Sequence, residues 1–231
     1  MKIIKQIHSL PIVNHDNCIA ADTHLYTKKH GPLVENCNRC LIIGRSNCGK
    51  TNVLISMLTH PEGMRFENIY IYCKTLHQPK YEYLQKVIEP IKGMGFFKYD
   101  NDDDILTPAE ARPFSIFIFD DVSTENQSKI RSFFSHGRHH GIDSIFCTQS
   151  YMRCIKHLLR DNVNFLILFK QDDTNLRHIF DEHVSMDMQY DTFKRMCKEC
   201  WCDKYGFLVI DKDAELNRGR YRKGFDRFFQ L

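Results

Sequence analysis

The feature that most constrains this chain is the octapeptide Gly44-Arg45-Ser46-Asn47-Cys48-Gly49-Lys50-Thr51, which satisfies G-x(4)-G-K-[ST] without deviation. It follows an apolar run, CLIIG at 40–44, and opens a stretch whose apolar residues Val53, Leu54, Met57 and Leu58 recur at helical spacing. A glycine-rich turn between a strand and a helix points successive backbone N–H groups at one small volume, at the helix end whose dipole favours anions. Such a loop cradles the phosphates of a nucleotide. Lys50 then reaches the β- and γ-phosphates of ATP, and the Thr51 hydroxyl ligates Mg²⁺.

The rest of the chain reads as an α/β unit around that turn. Apolar runs at 40–44, 68–73, 114–119, 143–148, 163–169 and 206–210 carry apolar residues on both alternations, as strands covered on both faces do. Helical spacing falls between them: from the GKT onward, at 79–91, after a capping-box pattern at Thr124–Gln127, and near 153–160, 173–182 and 189–200. Alternating strands and helices predict a mostly parallel sheet with helices on both faces. Residues 1–36 are polar and aperiodic and read as an extended lead-in, with one domain over 37–231. The acidic run 100–104 lies between elements and reads as a solvated loop.

Composition narrows the class. The chain has 231 residues, 42% hydrophobic and 26% charged, enough for one sizeable domain. No apolar run approaches the ~18–20 residues of a membrane span, and the start lacks the apolar core of a secretory signal. The ten cysteines lie largely in strand-like runs or the phosphate loop, which is reduced, intracellular usage. Cys37-x2-Cys40 and Cys197-x2-Cys200-x-Cys202 lack the compact spacing of a zinc module. Cys48, in an electropositive loop at a helix start, is expected to favour the thiolate.

A phosphate loop that hydrolyses ATP needs an acid at the end of a buried strand, and FSIFIFDD at 114–121 supplies two. Asp120 is placed to hold Mg²⁺, and Asp121 to polarise the attacking water. The strand at 143–148 ends in CTQS, where Gln149 has the length and both hydrogen-bonding capacities to sense a γ-phosphate. The basic tail carries Arg218, Arg220, Arg222, Lys223 and Arg227 against Asp226, leaving the remainder of a +3 chain at −1. Its interleaved Tyr221, Phe225, Phe228 and Phe229 suit either nucleic-acid contact or a docked segment with solvated arginines.

From about His30 to Phe229 the sequence resembles the FtsK–HerA-type DNA-packaging ATPases of large DNA viruses and of the virus-like Polinton (Maverick) elements. The segments that carry the resemblance are HGPLVENCNRCLIIGRSNCGKTNVL, FSIFIFDDV, GRHHGIDSIFCTQSY and RYRKGFDRF. The resemblance implies a RecA-like (ASCE) P-loop NTPase core, a ring-shaped homo-oligomer and ATP-driven translocation of double-stranded DNA into a capsid. It further implies a capsid or portal-type partner and a location in the host nucleus or cytoplasm or on the virion. In such rings an arginine of one subunit completes the site of the next; Arg138 in GRHH is the first candidate, with Arg131 and Arg153 behind it. Arg45 departs from the small residue or proline expected there, at a position the motif leaves free. A nucleotide or small-molecule kinase shares the phosphate loop, but Asp120-Asp121 prepares a water and no arginine-rich lid is present. No Asn-Lys-x-Asp guanine reader occurs, which argues against a GTPase. A protein that binds ATP only as a switch is the non-enzymatic alternative.

Overall fold

Isoleucines and aromatics alternate along the strands, and that alternation sorts the core into two layers. In the acid-bearing strand, Ile116 and Ile118 pack on one face of the sheet while Phe117 and Phe119 pack on the other. The computed structural model describes residues 30–76, 78–100, 105–122, 127–154 and 156–231. Within these, the strands are β1 (Arg39–Ile43), β2 (Asn68–Cys73), β3 (Gly95–Tyr99), β4 (Ser115–Asp120), β5 (Ile142–Thr148), β6 (Phe165–Leu168), β7 (Leu208–Asp211), β8 (Tyr221–Lys223) and β9 (Arg227–Phe228). The helices are α1 (Lys50–Thr59), α2 (Pro79–Ile88), α3 (Gln127–His136), α4 (Asp173–His183) and α5 (Tyr190–Cys200).

One nine-stranded sheet runs in the order β3-β2-β4-β5-β1-β6-β7-β8-β9. It is parallel from β3 to β6 and antiparallel from β6 to β9. α1 and α2 cover one face through Leu54, Met57, Leu58, Tyr81, Leu84 and Ile88. The other face is covered by α3, α4 and α5 through residues such as Ile130, Phe133, Ile179 and Phe193. That second layer is aromatic: Phe117 stacks on Tyr70 at 4.4 Å between centroids and packs on Phe133 at 4.2 Å. Such pairs add about 0.5–1.5 kcal/mol each beyond the area they bury.

The predicted strands are all present, shifted by a residue or two, and the sheet is mostly parallel as anticipated. Three further strands appear, β3 at one edge and the β8–β9 pair at the other. The stretch predicted as a helix near 153–160 is instead a 3₁₀ turn at Tyr151–Arg153 followed by a π-type turn at Lys156–Arg160. Packing takes in residues 30–36 of the lead-in. His30 is buried, 3.0 Å from the Asp143 carboxylate through Nε2, and accepts from the Arg65 N–H at 3.0 Å through Nδ1. Residues 1–29, residues 101–104 of the acidic run and the capping-box residues Thr124, Glu125 and Asn126 lie outside the described residues. Among the described residues no helix is long and apolar enough to cross a membrane.

Candidate functional site: a phosphate loop facing two carboxylates

β1 is central, and the turn that leaves its C-terminal end is shaped by what touches it. The Gly44 N–H bonds to Thr148 O of β5 at 3.1 Å, fastening the loop to the neighbouring strand. A side chain at Gly44 would collide with Phe169, whose Cβ would lie 2.7 Å from a Cβ there, and with Cys48 Sγ at 2.5 Å. Gly49 sits at φ +115°, a left-handed conformation costly for any residue with a Cβ, and serves as N-cap of α1. No side chain caps α1 and its first turn holds no acid, so its free N–H groups remain available to an anion. Lys50 arches back over the loop, its Nζ donating to Gly44 O at 2.6 Å and Arg45 O at 3.0 Å.

The carboxylates arrive from the next strand but one. β4 is separated from β1 by β5, so Asp120 at its end stands across a gap one strand wide. Asp120 is buried, and Tyr81 of α2 donates its hydroxyl to Oδ2 at 2.6 Å. Burial raises the Asp120 carboxyl above its ordinary range; the Tyr81 bond and the Lys50 charge oppose that shift, while Asp121 adds to it. Burial and the adjacent Asp120 raise Tyr81 in turn, which keeps it a protonated donor. Asp121 takes a left-handed turn, φ +53°, which Asp tolerates better than most residues, and its N–H bonds to Cys147 O at 3.2 Å. From the tip of β5, Gln149 donates through Nε2 to Asp121 Oδ2 at 3.5 Å, a long contact.

Ser46, Asn47, Gly49, Lys50, Thr51, Asp120, Asp121 and Gln149 all line one cleft of about 350 Å³. Gly44, Arg45 and Cys48 belong to the loop without lining that cleft, Arg45 lying exposed. Gln78, Pro79 and Lys80 at the start of α2 close its far wall. These, with Tyr81, escaped the sequence reading. The available signal was position: α2 follows β2, whose C-terminal end lies level with that of β4.

One expectation changes. Cys48 does not favour the thiolate. Burial raises its pKa, and the opposing Lys50 charge and backbone donors are the smaller influences, because the sulfur is tucked against Gly44 and the apolar layer beneath. Arg138, expected to serve the site of a neighbouring subunit, does not line the cleft of its own chain. It lies in the 3₁₀ turn Gly137–His140 that enters β5, near enough to Arg39 at the start of β1 to lower that residue's pKa. It therefore sits at the N-terminal ends of the strands, with the seven residues of β5, roughly 20 Å, between it and the cleft. Arg153 follows the β5 tip at the cleft end and is exposed, while Arg131 is on the outer surface of α3.

The basic tail is docked. Arg222 bonds to Asp211 at 2.6 Å and Lys223 to Glu199 at 2.8 Å; Arg220 forms an ion pair with Asp187 at 2.7 Å, and Arg218 and Arg227 pair at 3.5 Å with Glu215 and Asp226. Tyr221 is buried and Phe225 packs on Phe207 at 5.4 Å. Of the cysteines considered for zinc, Cys40, Cys197 and Cys200 are core residues. Among the described residues no group of three or more His, Cys, Asp or Glu side chains could hold a metal ion.

No protein-family model matches the chain, and no curated protein matches it. Solved structures do. The chain is similar to the genome packaging NTPase B204 from Sulfolobus turreted icosahedral virus 2 in complex with sulfate, with a TM-score of 0.54 and 15% identity over 78% of this chain and 94% of that one. The same NTPase in complex with AMP gives 0.53 and 15% over 76% and 93%. B204 of Sulfolobus Turreted Icosahedral Virus, described as its DNA-packaging ATPase, gives 0.54 and 15% over 77% and 94%. At that identity the likeness is one of fold: this chain has the P-loop NTPase fold, a mostly parallel sheet with helices on both faces.

Proposed function

We propose that this chain is an ATP-hydrolysing motor that translocates double-stranded DNA and packages a viral or virus-like genome, of the Polinton kind or a large DNA virus, into a capsid. The observation that carries the proposal is the cleft itself, where the phosphate loop of β1 faces Asp120 and Asp121 of β4 across the β5 tip. Lys50 and the first N–H groups of α1 bind the phosphate chain. The oxygens of Thr51 and Asp120 line the same cleft and form the hard donor set that Mg²⁺ takes. Bound there, Mg²⁺ would neutralise charge on the β- and γ-phosphate oxygens. Asp120 is steadied by Tyr81, leaving the exposed Asp121 to orient and polarise the attacking water, with Gln149 beside it to register the γ-phosphate.

The motor reading draws support from the fold shared with viral genome-packaging NTPases over nearly their whole length, and from the quoted resemblance segments. It places the chain in a ring-shaped homo-oligomer that meets a capsid or portal-type protein inside the host cell or on the virion. Double-stranded DNA should raise ATP turnover several-fold in a steady-state phosphate-release assay. Turnover indifferent to DNA would leave a plain ATPase or switch and remove the motor. Asp121→Asn should lower kcat by about 10²–10⁴-fold while leaving the Kd for ATP nearly unchanged, since only the water-orienting carboxylate is neutralised. Single-turnover kinetics with a binding isotherm separate the two, and a weakened Kd with normal kcat would move Asp121 out of the catalytic role.

A further inference from the structure

The cleft accounts for the phosphate end of a nucleotide and says nothing of its base. A γ-phosphate directed toward Asp120, Asp121 and Gln149 on the β4–β5 side of the loop would send the ribose and base to the opposite side, where the sheet continues with β6 and β7. β7 runs antiparallel to β6, with Leu208 opposite Leu168, so the chain enters β7 at the same end of the sheet at which β6 terminates. The turn between α5 and β7 is thereby carried up to the phosphate loop. Tyr205 stands in that turn: a Cβ on Gly49 would lie 3.6 Å from Tyr205 Cδ1 and 3.4 Å from Phe169 Cε1.

Tyr205 differs from the rings behind it. Phe169 is buried against Phe207, which contacts Phe225, each pair at 5.4 Å, and these form an apolar backing. Tyr205 is 54% exposed, with the Lys204 ammonium 5.2 Å from its ring centroid. The turn is also fixed. Trp201 Nε1 donates to Leu168 O at 2.9 Å, Gly206 N–H donates to Asp203 O at 3.0 Å, and a Cβ at Gly206 would strike Cys200 O at 2.0 Å. A large exposed ring carried on a fixed turn beside the loop, on the side the nucleoside would take, is a stacking surface.

Resting on the assignment of the cleft as a nucleotide site, we propose that Tyr205 is the platform on which the purine base of the bound nucleotide stacks. Stacking needs only a π-face, so the platform supplies affinity without choosing between adenine and guanine. Calorimetric titration of the full chain with ATP, GTP and inorganic tripolyphosphate tests this. Tyr205→Ala should raise the Kd for ATP and for GTP on the order of tenfold and leave that for tripolyphosphate unchanged, while Tyr205→Phe should bind all three like the parent. A Tyr205→Ala chain that binds ATP within about twofold of a binding-competent parent overturns the platform. So does one that loses ATP and tripolyphosphate equally, which would mark distortion of the loop. A parent chain that binds neither ATP nor tripolyphosphate overturns the nucleotide site itself.

Discussion

Lys50→Ala should lower ATP turnover on the order of 10³-fold or more and weaken nucleotide binding at the same time. The side chain is the loop cation that lines the cleft, and its ammonium lies within hydrogen-bonding distance of the loop's own carbonyls, Gly44 O and Arg45 O. From there it would meet the charge of the bridging and terminal phosphate oxygens both in the bound state and as the bond breaks, so affinity and kcat should fall together, with Kd rising. This is the pattern that distinguishes it from Asp121→Asn. Lys50 lies at the first position of α1, where alanine is a good helix former, so the fold should persist. Circular dichroism of the variant checks that, and turnover near the parent's rate in a folded Lys50→Ala chain would sink the assignment of the site.

The second large effect concerns the arginine that a ring neighbour would supply. A guanidinium placed on the breaking β–γ bond is worth on the order of 10³–10⁵ in rate in related chemistry. Subunits side by side in a planar ring present their nucleotide clefts at one level, so the donor should lie near the C-terminal ends of the strands. Arg153, exposed just past the β5 tip, meets that requirement, whereas Arg138 lies at the other end of the sheet. Arg153→Ala chains alone and Lys50→Ala chains alone should both be inactive, while mixed assemblies regain hydrolysis wherever an intact loop faces an intact arginine. Arg153→Lys should restore little, because a point charge on a flexible stem lacks the planar fork. Mixtures that co-assemble and stay inactive would place the arginine in cis. Arg138→Ala chains that are inactive and complemented by Lys50→Ala would return the role to Arg138.

Much of this site was legible because its parts are local. A glycine turn between a strand and a helix, and a buried strand ending in two acids, announce themselves in consecutive residues. The position of Arg138 was legible too, in principle: in a parallel sheet, the residues that enter a strand lie at the end away from the phosphate loop. What the sequence hid depends on partners far along the chain. β3 was missed because Gly95 and Lys98 interrupt a short, half-exposed edge strand. The tail read as a charged run because the acids that neutralise Lys223, Arg222 and Arg220, namely Glu199, Asp211 and Asp187, are 11 to 33 residues away. For Cys48 the charged neighbours were visible in the sequence but the burial that outweighs them was not. Tyr205 reaches the loop only through the change of strand direction at β7.

That change of direction ends in a clasp. Arg222 is nearly enclosed, donating to the Asp211 carboxylate at 2.6 Å, to Gly219 O at 2.7 Å and, across 189 positions of sequence, to Leu33 O at 2.7 Å. One guanidinium thus joins the segment before β1 to the last strands of the sheet. Cutting the chain before β8 would leave Asp211 buried without its counter-charge, a loss of roughly 3–5 kcal/mol from a domain whose whole margin is about 5–15 kcal/mol. A chain shortened there would therefore lose its shape first, and the Arg222 cation is better understood as a rivet than as a hand.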